Sequence, residues 1–401
     1  MFTRRSFLQS SAAAAALAAS ASSARADNAP GVTDTEIKIG QTMPYSGPAS
    51  AYGVIGRTEA AYFKMINEQG GINGRKINLI SLDDAYSPPK TVEQVRRLVE
   101  DEKVAFLFQT LGTAPNLAIR QYLNDNKVPQ LFVSTGAAVF SDPQHFPWTI
   151  GYNPNYQTEA HIYGKDILKT KPDGKIAVLY QNDGFGKDYL IGLKAELGDH
   201  AGMIVKEASY ETSEPTVDSQ VVTLQGSGAD IFIIGATPKF AAQAIRKSFD
   251  LGWDATRYLS NVSPSIATVL KPAGLEKSKG LITAYYGKDP TDARWKDSPD
   301  LKAWHAFCDK YMSQKEFVDA NATYAFSAAS TMAQVLKQCG NDFSRDNVMK
   351  QAANVKDFEP PMVLPGMKIN TSPTNFSPIR QMQLAKFDGQ SWQLFGDLLM
   401  G

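Results

Sequence analysis

Reactive side chains are scarce in this 401-residue chain, which has two cysteines and four histidines. His145, His161, His200 and His305 stand singly along the sequence. Such spacing offers no metal-ligand set and no nucleophile with its base. The chain also lacks a G-x-S-x-G elbow, an H-E-x-x-H helix, a C-x-x-C pair and a Walker loop. These absences argue against an enzyme, and no cofactor or metal is expected. Charge of one sign is missing too. With 41 basic and 41 acidic side chains the formal net charge is zero, and a nucleic-acid binder would carry a basic excess. Beyond the first residues no apolar run approaches the ~20 residues of a membrane span.

Cys308 and Cys339 are not expected to be bridged. Residues 300–312 and 319–338 read as an antiparallel helix pair, with Cys308 opposite about position 324. Cys339 then lies about 15 residues further on, or about 22 Å at 1.5 Å per residue. That is far beyond the ~7 Å between Cα atoms that a disulfide tolerates. Two free, buried thiols follow.

Two motifs fall short of chemistry. Asp83-Asp84 is an adjacent carboxylate pair, but neighbours on a strand point to opposite faces, so the two do not share a proton. Gly184-Phe185-Gly186 follows a strand and opens a helix, yet position 189 is Tyr189, where a dinucleotide fingerprint would have its third glycine.

The chain does have a clear leader. Thr3-Arg4-Arg5-Ser6-Phe7-Leu8 precedes the alanine-rich run Ser11–Ala19, and Ala24-Arg25-Ala26 closes the segment. A twin arginine, a short apolar region and a small-x-small end read as a twin-arginine export signal over residues 1–26. Cleavage after Ala26 would place the mature chain in the periplasm. The residue after the cut is Asp27 and not cysteine, so no lipid anchor is expected.

The remaining chain, about 375 residues, exceeds what one core usually serves. Strands and helices alternate through it. The pattern predicts strands over 36–42, 76–83, 104–109 and 130–133, with helices over 54–69, 88–101 and 114–126 between them. After Pro154 the rhythm restarts with strands at 175–181, 204–210 and 230–235 and helices at 186–198, 218–226 and 238–251. Strands spaced by single helices imply right-handed βαβ units. The fold class is therefore α/β, with two Rossmann-like lobes, each a parallel sheet flanked by helices. A strand-like passage over 280–286, long helices and a final hairpin over 380–398, turning at Asp388-Gly389, complete the chain.

Sheets of this kind bind ligands in the loops at the carboxyl ends of their strands. Here those loops carry Tyr45 and Ser46, then Leu111, Gly112 and Thr113, then Thr135, Gly136, Ala137 and Ala138. In the second series they carry Asn182, Phe185, Thr237 and Asn261. Small residues at helix starts expose N–H groups to an anion. Tyr45, Tyr52, Tyr86 and Phe185 can supply aromatic walls. Together these fifteen residues are the expected solute contacts.

The chain resembles the type I periplasmic solute-binding proteins of the branched-chain amino acid/amide transporters. The likeness is carried by Ile39-Gly40 leading to Ser46-Gly47-Pro48, by Ala51-Tyr52-Gly53, and by Asn67 through Lys76 with its Gly70-Gly71-Ile72-Asn73-Gly74 turn. Asp83-Asp84, Gly184-Phe185-Gly186 and the helix around Ala242–Gly252 extend it over nearly the whole chain. The resemblance implies two hinged lobes joined by three crossing strands, near 151–153, 284–286 and 384–387. The first lobe would span 31–152 and 286–384, the second 153–285 and 385–401. It implies a monomer that holds one small carboxylate and delivers it to the membrane permease of an ABC transporter. By the same likeness Gly112 and Thr113 give N–H groups to the carboxylate, Gly136 to Ala138 line the same lobe, and Phe185, Thr237 and Asn261 meet the solute from the other.

Two departures bear on the solute. Amino-acid binders of this family place a Ser or Thr hydroxyl where Ala138 stands, and an acidic residue in the loop that here reads Ser260-Asn261-Val262-Ser263. An ammonium sealed in a cleft without its carboxylate partner loses about 3–5 kcal/mol, on the order of a hundredfold or more in affinity. An aromatic or other apolar acid without an α-amine is therefore expected. A periplasmic sensing module for a signalling receptor is the alternative, since both uses share the same closure.

Overall fold

The computed structural model describes residues 29–313 and 316–400. The expected export signal and its cleavage after Ala26 lie outside the described residues. The rest forms two α/β halves, each built on one sheet.

The first sheet contains β1 (Glu36–Met43), β2 (Lys76–Asp83), β3 (Phe106–Phe108), β4 (Gln130–Val133) and β5 (Thr149–Gly151). Its order is β2-β1-β3-β4-β5, and every pairing is parallel. The second sheet contains β6 (Ile176–Gln181), β7 (Ile204–Tyr210), β8 (Ile231–Gly235), β9 (Thr256–Leu259), β10 (Ile282–Tyr285), β11 (Gln381–Phe387) and β12 (Trp392–Met400). There the order is β12-β11-β10-β9-β8-β6-β7. The last hairpin joins antiparallel, with Ile282 opposite Lys386 and Phe387 opposite Trp392. Since Tyr285 already pairs with Gln383, the whole of β11 belongs to the second sheet, and a lobe boundary at 384/385 would cut through it.

Burial follows position in the sheet. Every residue of β8 is buried, as a central strand covered by helices on both faces demands. The edge strand β7 shows three successive exposed residues. Helices α1 (Gly53–Glu68), α2 (Pro88–Arg96) and α3 (Thr113–Asp125) flank the first sheet. In the second half come α4 (Tyr156–Thr170), α5 (Gly184–Leu197), α6 (Asp218–Gln225) and α7 (Pro238–Asp250). The chain then returns to the first half with α8 (Pro299–Tyr311), α9 (Ala320–Gln338) and α10 (Arg345–Ala352).

Alternation of short apolar runs makes most of this legible, and β2, β4 and β7 fall where the sequence pattern puts them. Helix α4, like β9, is an element the pattern does not announce. Its signals are nonetheless present: Asn155 caps it by accepting from the Gln157 N–H, and Ala160, Tyr163 and Ile167 share one face. The neighbouring Pro154 masks them by reading as a boundary. Beyond residue 96 the predicted helix 88–101 passes into a wider π turn, Arg97–Asp101.

The Asn67–Lys76 turn has a physical reason for its sequence. Asn67 Nδ2 donates to the Ile77 carbonyl at 2.8 Å and its Oδ1 accepts from the Ile77 N–H at 2.7 Å, which clasps the end of α1 onto β2. Gly186 is needed for a different reason: a Cβ there would sit 2.1 Å from the Gln181 carbonyl oxygen, so only glycine lets α5 start so close to β6.

Helices α8 and α9 exist as expected but do not simply pair with each other. Both lean on α1, and the rings of Tyr62, Phe307 and Phe326 meet between them at 4.9–6.3 Å. Cys308 and Cys339 are both buried and free, and burial pushes each thiol up to about 12. That keeps them as inert apolar filling rather than nucleophiles.

Candidate binding cleft between the lobes

The carboxyl ends of the two sheets face one another across a cavity of about 960 Å³, counting the part that opens to solvent. Leu111, Gly112 and Thr113 line it from the end of β3, Ser134 from the end of β4, and Tyr52 and Tyr86 from neighbouring loops. Phe185, Thr237, Asn261 and Val262 line it from the second half. The crossing segments close its floor through Tyr152, Asn153 and Tyr285 to Lys288, joined by the first turn of α9.

One end of the cavity is formed by the start of α3. Gly112 caps that helix with φ at 102°, a conformation open to glycine at little cost. A Cβ there would meet the Tyr86 ring at 2.5 Å. The first N–H groups of a helix have no carbonyl four residues back, so Thr113 and Ala114 present donors at the positive end of the dipole. Gly112 itself differs from expectation: its N–H donates to the Ser134 carbonyl at 3.2 Å. That bond extends the β3–β4 ladder and leaves Thr113 and Ala114 as the donors.

Tyr86 is held by the turn after β2. The Asp84 carboxylate accepts from the Tyr86 N–H at 2.9 Å and from Thr91 Oγ1 at 2.8 Å. Burial raises the Asp84 carboxyl above its usual range. Its neighbour goes the other way. Against a desolvation that would raise it, bonds from Ser46, Ala85 and Lys90 hold Asp83 well below the carboxylate range. The two carboxylates thus serve separate turns.

Eight aromatic rings line the cavity, those of Tyr52, Tyr86, Tyr152, Tyr156, Phe185, Tyr285, Tyr286 and Tyr324. Phe185 packs edge-on to Tyr156 with centroids 4.8 Å apart and to Tyr189 at 5.6 Å. Among the described residues that line the cavity there is no aspartate, glutamate, histidine or cysteine. The one charged side chain among them is Lys288, whose Nζ is paired with Asp300 at 2.6 Å. Among the described residues no group of three or more His, Cys, Asp or Glu could hold a metal ion.

Of the fifteen expected contacts, Tyr52, Tyr86, Leu111, Gly112, Thr113, Phe185, Thr237 and Asn261 come together at the cavity. The other seven stand elsewhere. Tyr45 packs in the first core with its hydroxyl on Ser81 Oγ at 2.6 Å. Ser46 is bound to Asp83 at 2.6 Å. Thr135 sits behind Thr113, their hydroxyls 2.7 Å apart. Gly136 and Ala137 are covered by Tyr156: a Cβ on Gly136 would lie 2.9 Å from that ring. Ala138 donates its N–H to Asp188 Oδ2 at 2.8 Å, and Asn182 turns outward to Glu211 at 2.6 Å. For the loop after β4 the cause is Tyr156. A bulky ring at the start of α4 occupies the space the small loop would otherwise open.

The lobes meet over the cavity. Tyr52 Oη donates to the Val262 carbonyl at 3.0 Å, and Ser265 Oγ to Asp319 Oδ1 at 2.9 Å. Both bonds join residues of opposite halves. Tyr52→Phe removes the first, and a net hydrogen bond of about 1 kcal/mol predicts roughly fivefold weaker solute binding. Calorimetric titration of the two proteins with one bound acid checks this; equal affinities would remove Tyr52 from the closure.

A residue the sequence does not reveal is Glu159 on α4, fully buried. Its Oε1 accepts from Tyr163 Oη and from the Asn261 N–H, and its Oε2 from Tyr189 Oη and Asn261 Nδ2. Burial pushes its carboxyl up to about 7 despite those donors. The folded state then binds the proton more tightly than the unfolded chain. The stabilisation from this group is complete below the unfolded value near 4.5 and is lost as pH rises through 7. The stability advantage of the wild type over Glu159→Gln is expected to shrink by about 3 kcal/mol between pH 4.5 and 8. Denaturant melts of both proteins across that range measure it, and parallel curves would refute it.

Two lobes, each with its carboxyl-end loops turned to a shared cavity lined by rings and main-chain donors, define a two-lobed binding protein. The chain belongs to the periplasmic binding protein family, whose family model matches residues 36–391, and within it to the type I proteins of the branched-chain amino acid transporter group. It is similar to the Leu/Ile/Val-binding protein homolog 1 of Brucella abortus, with 27% identity over 321 residues, 77% of this chain and 80% of that one. Its fold is that of a valine-bound branched chain amino acid ABC transporter protein from Thermus thermophilus (TM-score 0.83, 14% identity, 92% and 98% of the two chains). It is also that of a fatty acid ABC transporter substrate-binding protein from Thermomonospora curvata (TM-score 0.78, 22% identity, 94% and 95%). The chain is thus a solute-binding protein and not an enzyme. The family is periplasmic, and no helix among the described residues is long and apolar enough to cross a membrane.

Proposed function

We propose that this protein is the periplasmic receptor of an ABC importer, and that it captures a small aromatic or apolar carboxylate lacking an α-amine. In this reading the twin-arginine leader exports it, the lobes close on the acid as a monomer, and the closed form hands it to the permease. The observation that carries the solute class is the lining itself: helix-start N–H donors at one end, rings along the walls and no acidic side chain among the described lining residues. A carboxylate finds donors there. An ammonium finds no carboxylate in that lining, and would forfeit affinity on the order of a hundredfold.

The names of the relatives favour a second reading, a branched-chain amino acid. A thermal-shift screen of the mature protein separates the two, because a ligand bound to the native state alone raises its melting temperature with saturation. Benzoate, hydroxybenzoates, phenylacetate and 4-methylpentanoate are expected to raise it. A shift with leucine or valine, and none with those acids, would replace the first reading by the second.

A further inference from the structure

The cavity wall in the second lobe contains a polar pair of which only one half faces the solute. Asn261 lines the cavity and is 6% exposed. Its Nδ2 is committed to Glu159 Oε2, while its Oδ1 has no hydrogen-bond partner. An amide is a fork: fixing one arm fixes the other. Glu159 Oε2 takes two donors, Tyr189 Oη and Asn261 Nδ2. It accepts both as half of a carboxylate and as the carbonyl oxygen of an acid protonated on Oε1, so the amide is held with nitrogen toward it and oxygen away.

We infer that Glu159 is a positioning residue that sets the polarity of Asn261, so that the second lobe offers the solute a hydrogen-bond acceptor. The solute therefore carries a donor, such as a hydroxyl, away from its carboxylate. This deepens the proposed function and rests on it for the carboxylate end alone.

The surroundings support a built arrangement. Glu159 Oε1 also takes the Asn261 main-chain N–H at 2.8 Å, so side chain and backbone of one residue are gripped by the two oxygens of another. Tyr189 Oη, which donates to Glu159, lies 2.5 Å from Ser260 Oγ, and Tyr163 Oη also reaches the Leu259 carbonyl at 2.7 Å. The carboxylate is thus locked to the end of β9 and the loop that follows. The ionisable groups facing it are tyrosines: Tyr163 on its own helix, Tyr189 on α5, Tyr156 at the start of α4 and Tyr286 on the crossing segment. No cation is among them to compete with Asn261 for the carboxyl oxygens. An acid that leaves this acceptor unpaired binds more weakly than one that satisfies it, by about one net hydrogen bond.

Glu159→Gln makes the test sharp. The introduced glutamine amide can keep an oxygen for Tyr163 and the Asn261 N–H, but its NH2 must then face Asn261. The Asn261 amide turns over, and its NH2 faces the solute in place of the oxygen. The probes are the 2-, 3- and 4-hydroxybenzoates with their O-methyl ethers, which lack the donor, and leucine with its desamino counterpart 4-methylpentanoate. Wild type is expected to prefer the donor-bearing member of at least one pair about tenfold in calorimetric titration. Glu159→Gln is expected to abolish or reverse that preference while still binding the ether. Asn261→Leu, which removes the acceptor without touching Glu159, is expected to abolish it too. The same ratio in all three proteins overturns the inference. Binding of leucine with no binding of any amine-free acid overturns the proposed solute class instead, and the leucine pair then tests Asn261 by itself. A measurement without solute stands beside these. In protein labelled on asparagine, the Asn261 side-chain amide protons are expected to exchange slowly and resonate downfield, and to lose both properties in Glu159→Gln. Unchanged signals would equally refute the assignment.

Discussion

Gly112→Ala is expected to weaken solute binding about a hundredfold and to lower stability by about 2–6 kcal/mol. Two costs add at this position. The backbone sits at φ 102°, which an L side chain adopts only under strain of about 1–3 kcal/mol. The new methyl would also stand 2.5 Å from the Tyr86 ring and 3.1 Å from Pro115, an overpacking that costs about 1–3 kcal/mol. Tyr86 has little room to retreat, because Asp84 holds its main chain and Thr91 holds Asp84. The strain is relieved by moving the ring into the cavity or the start of α3 away from it. Either displaces the Thr113 and Ala114 donors. Titration with a bound acid and a denaturant melt report the two effects separately. Wild-type affinity in a folded variant would mean that the start of α3 does not hold the carboxylate.

Phe185→Ala is expected to cost about 3–5 kcal/mol of stability, as deleting a buried phenyl ring does. Phe185 is 2% exposed and belongs to the core between α4, α5 and the second sheet. It also lines the cavity, so loss of binding in the alanine variant would say little alone. Phe185→Leu separates the roles. The near-conservation of volume keeps the stability cost below about 1.5 kcal/mol, while the ring's edge-and-face contacts with an aryl solute disappear. Affinity for an aromatic acid is expected to fall about tenfold, with 4-methylpentanoate unchanged. Equal losses for both acids would assign Phe185 to packing and remove it from the aromatic wall.

Most of the eight expected contacts that meet at the cavity are readable for one reason: they stand at or near the carboxyl end of a strand whose position follows from alternation. Leu111, Gly112 and Thr113 lie just past β3, Phe185 past β6 and Thr237 past β8, whereas β9, ahead of Asn261, is a strand the pattern does not place. The seven that stand elsewhere are in loops of the same composition. Nothing in the order of residues says that Ser46 answers Asp83, or that Tyr156 lies over Gly136. Glu159 is hidden more deeply. A single acid in the first turn of a helix normally reads as a favourable charge at the positive end of the dipole. Its burial, and its grip on a residue 102 positions away, arise only when α4, α5 and the end of β9 pack together.

The sequence by itself determined the α/β class, the two series of strands, the helix starts that offer N–H donors and the want of catalytic groups. These are properties of local period, capping residues and composition, and they survive any arrangement of the elements. Only the tertiary structure decided which loops share the cavity, which polar atoms are already taken and which way Asn261 presents its amide. Those are settled by contacts between residues far apart in the chain, where the volume of one ring or the charge of one carboxylate outweighs every local preference.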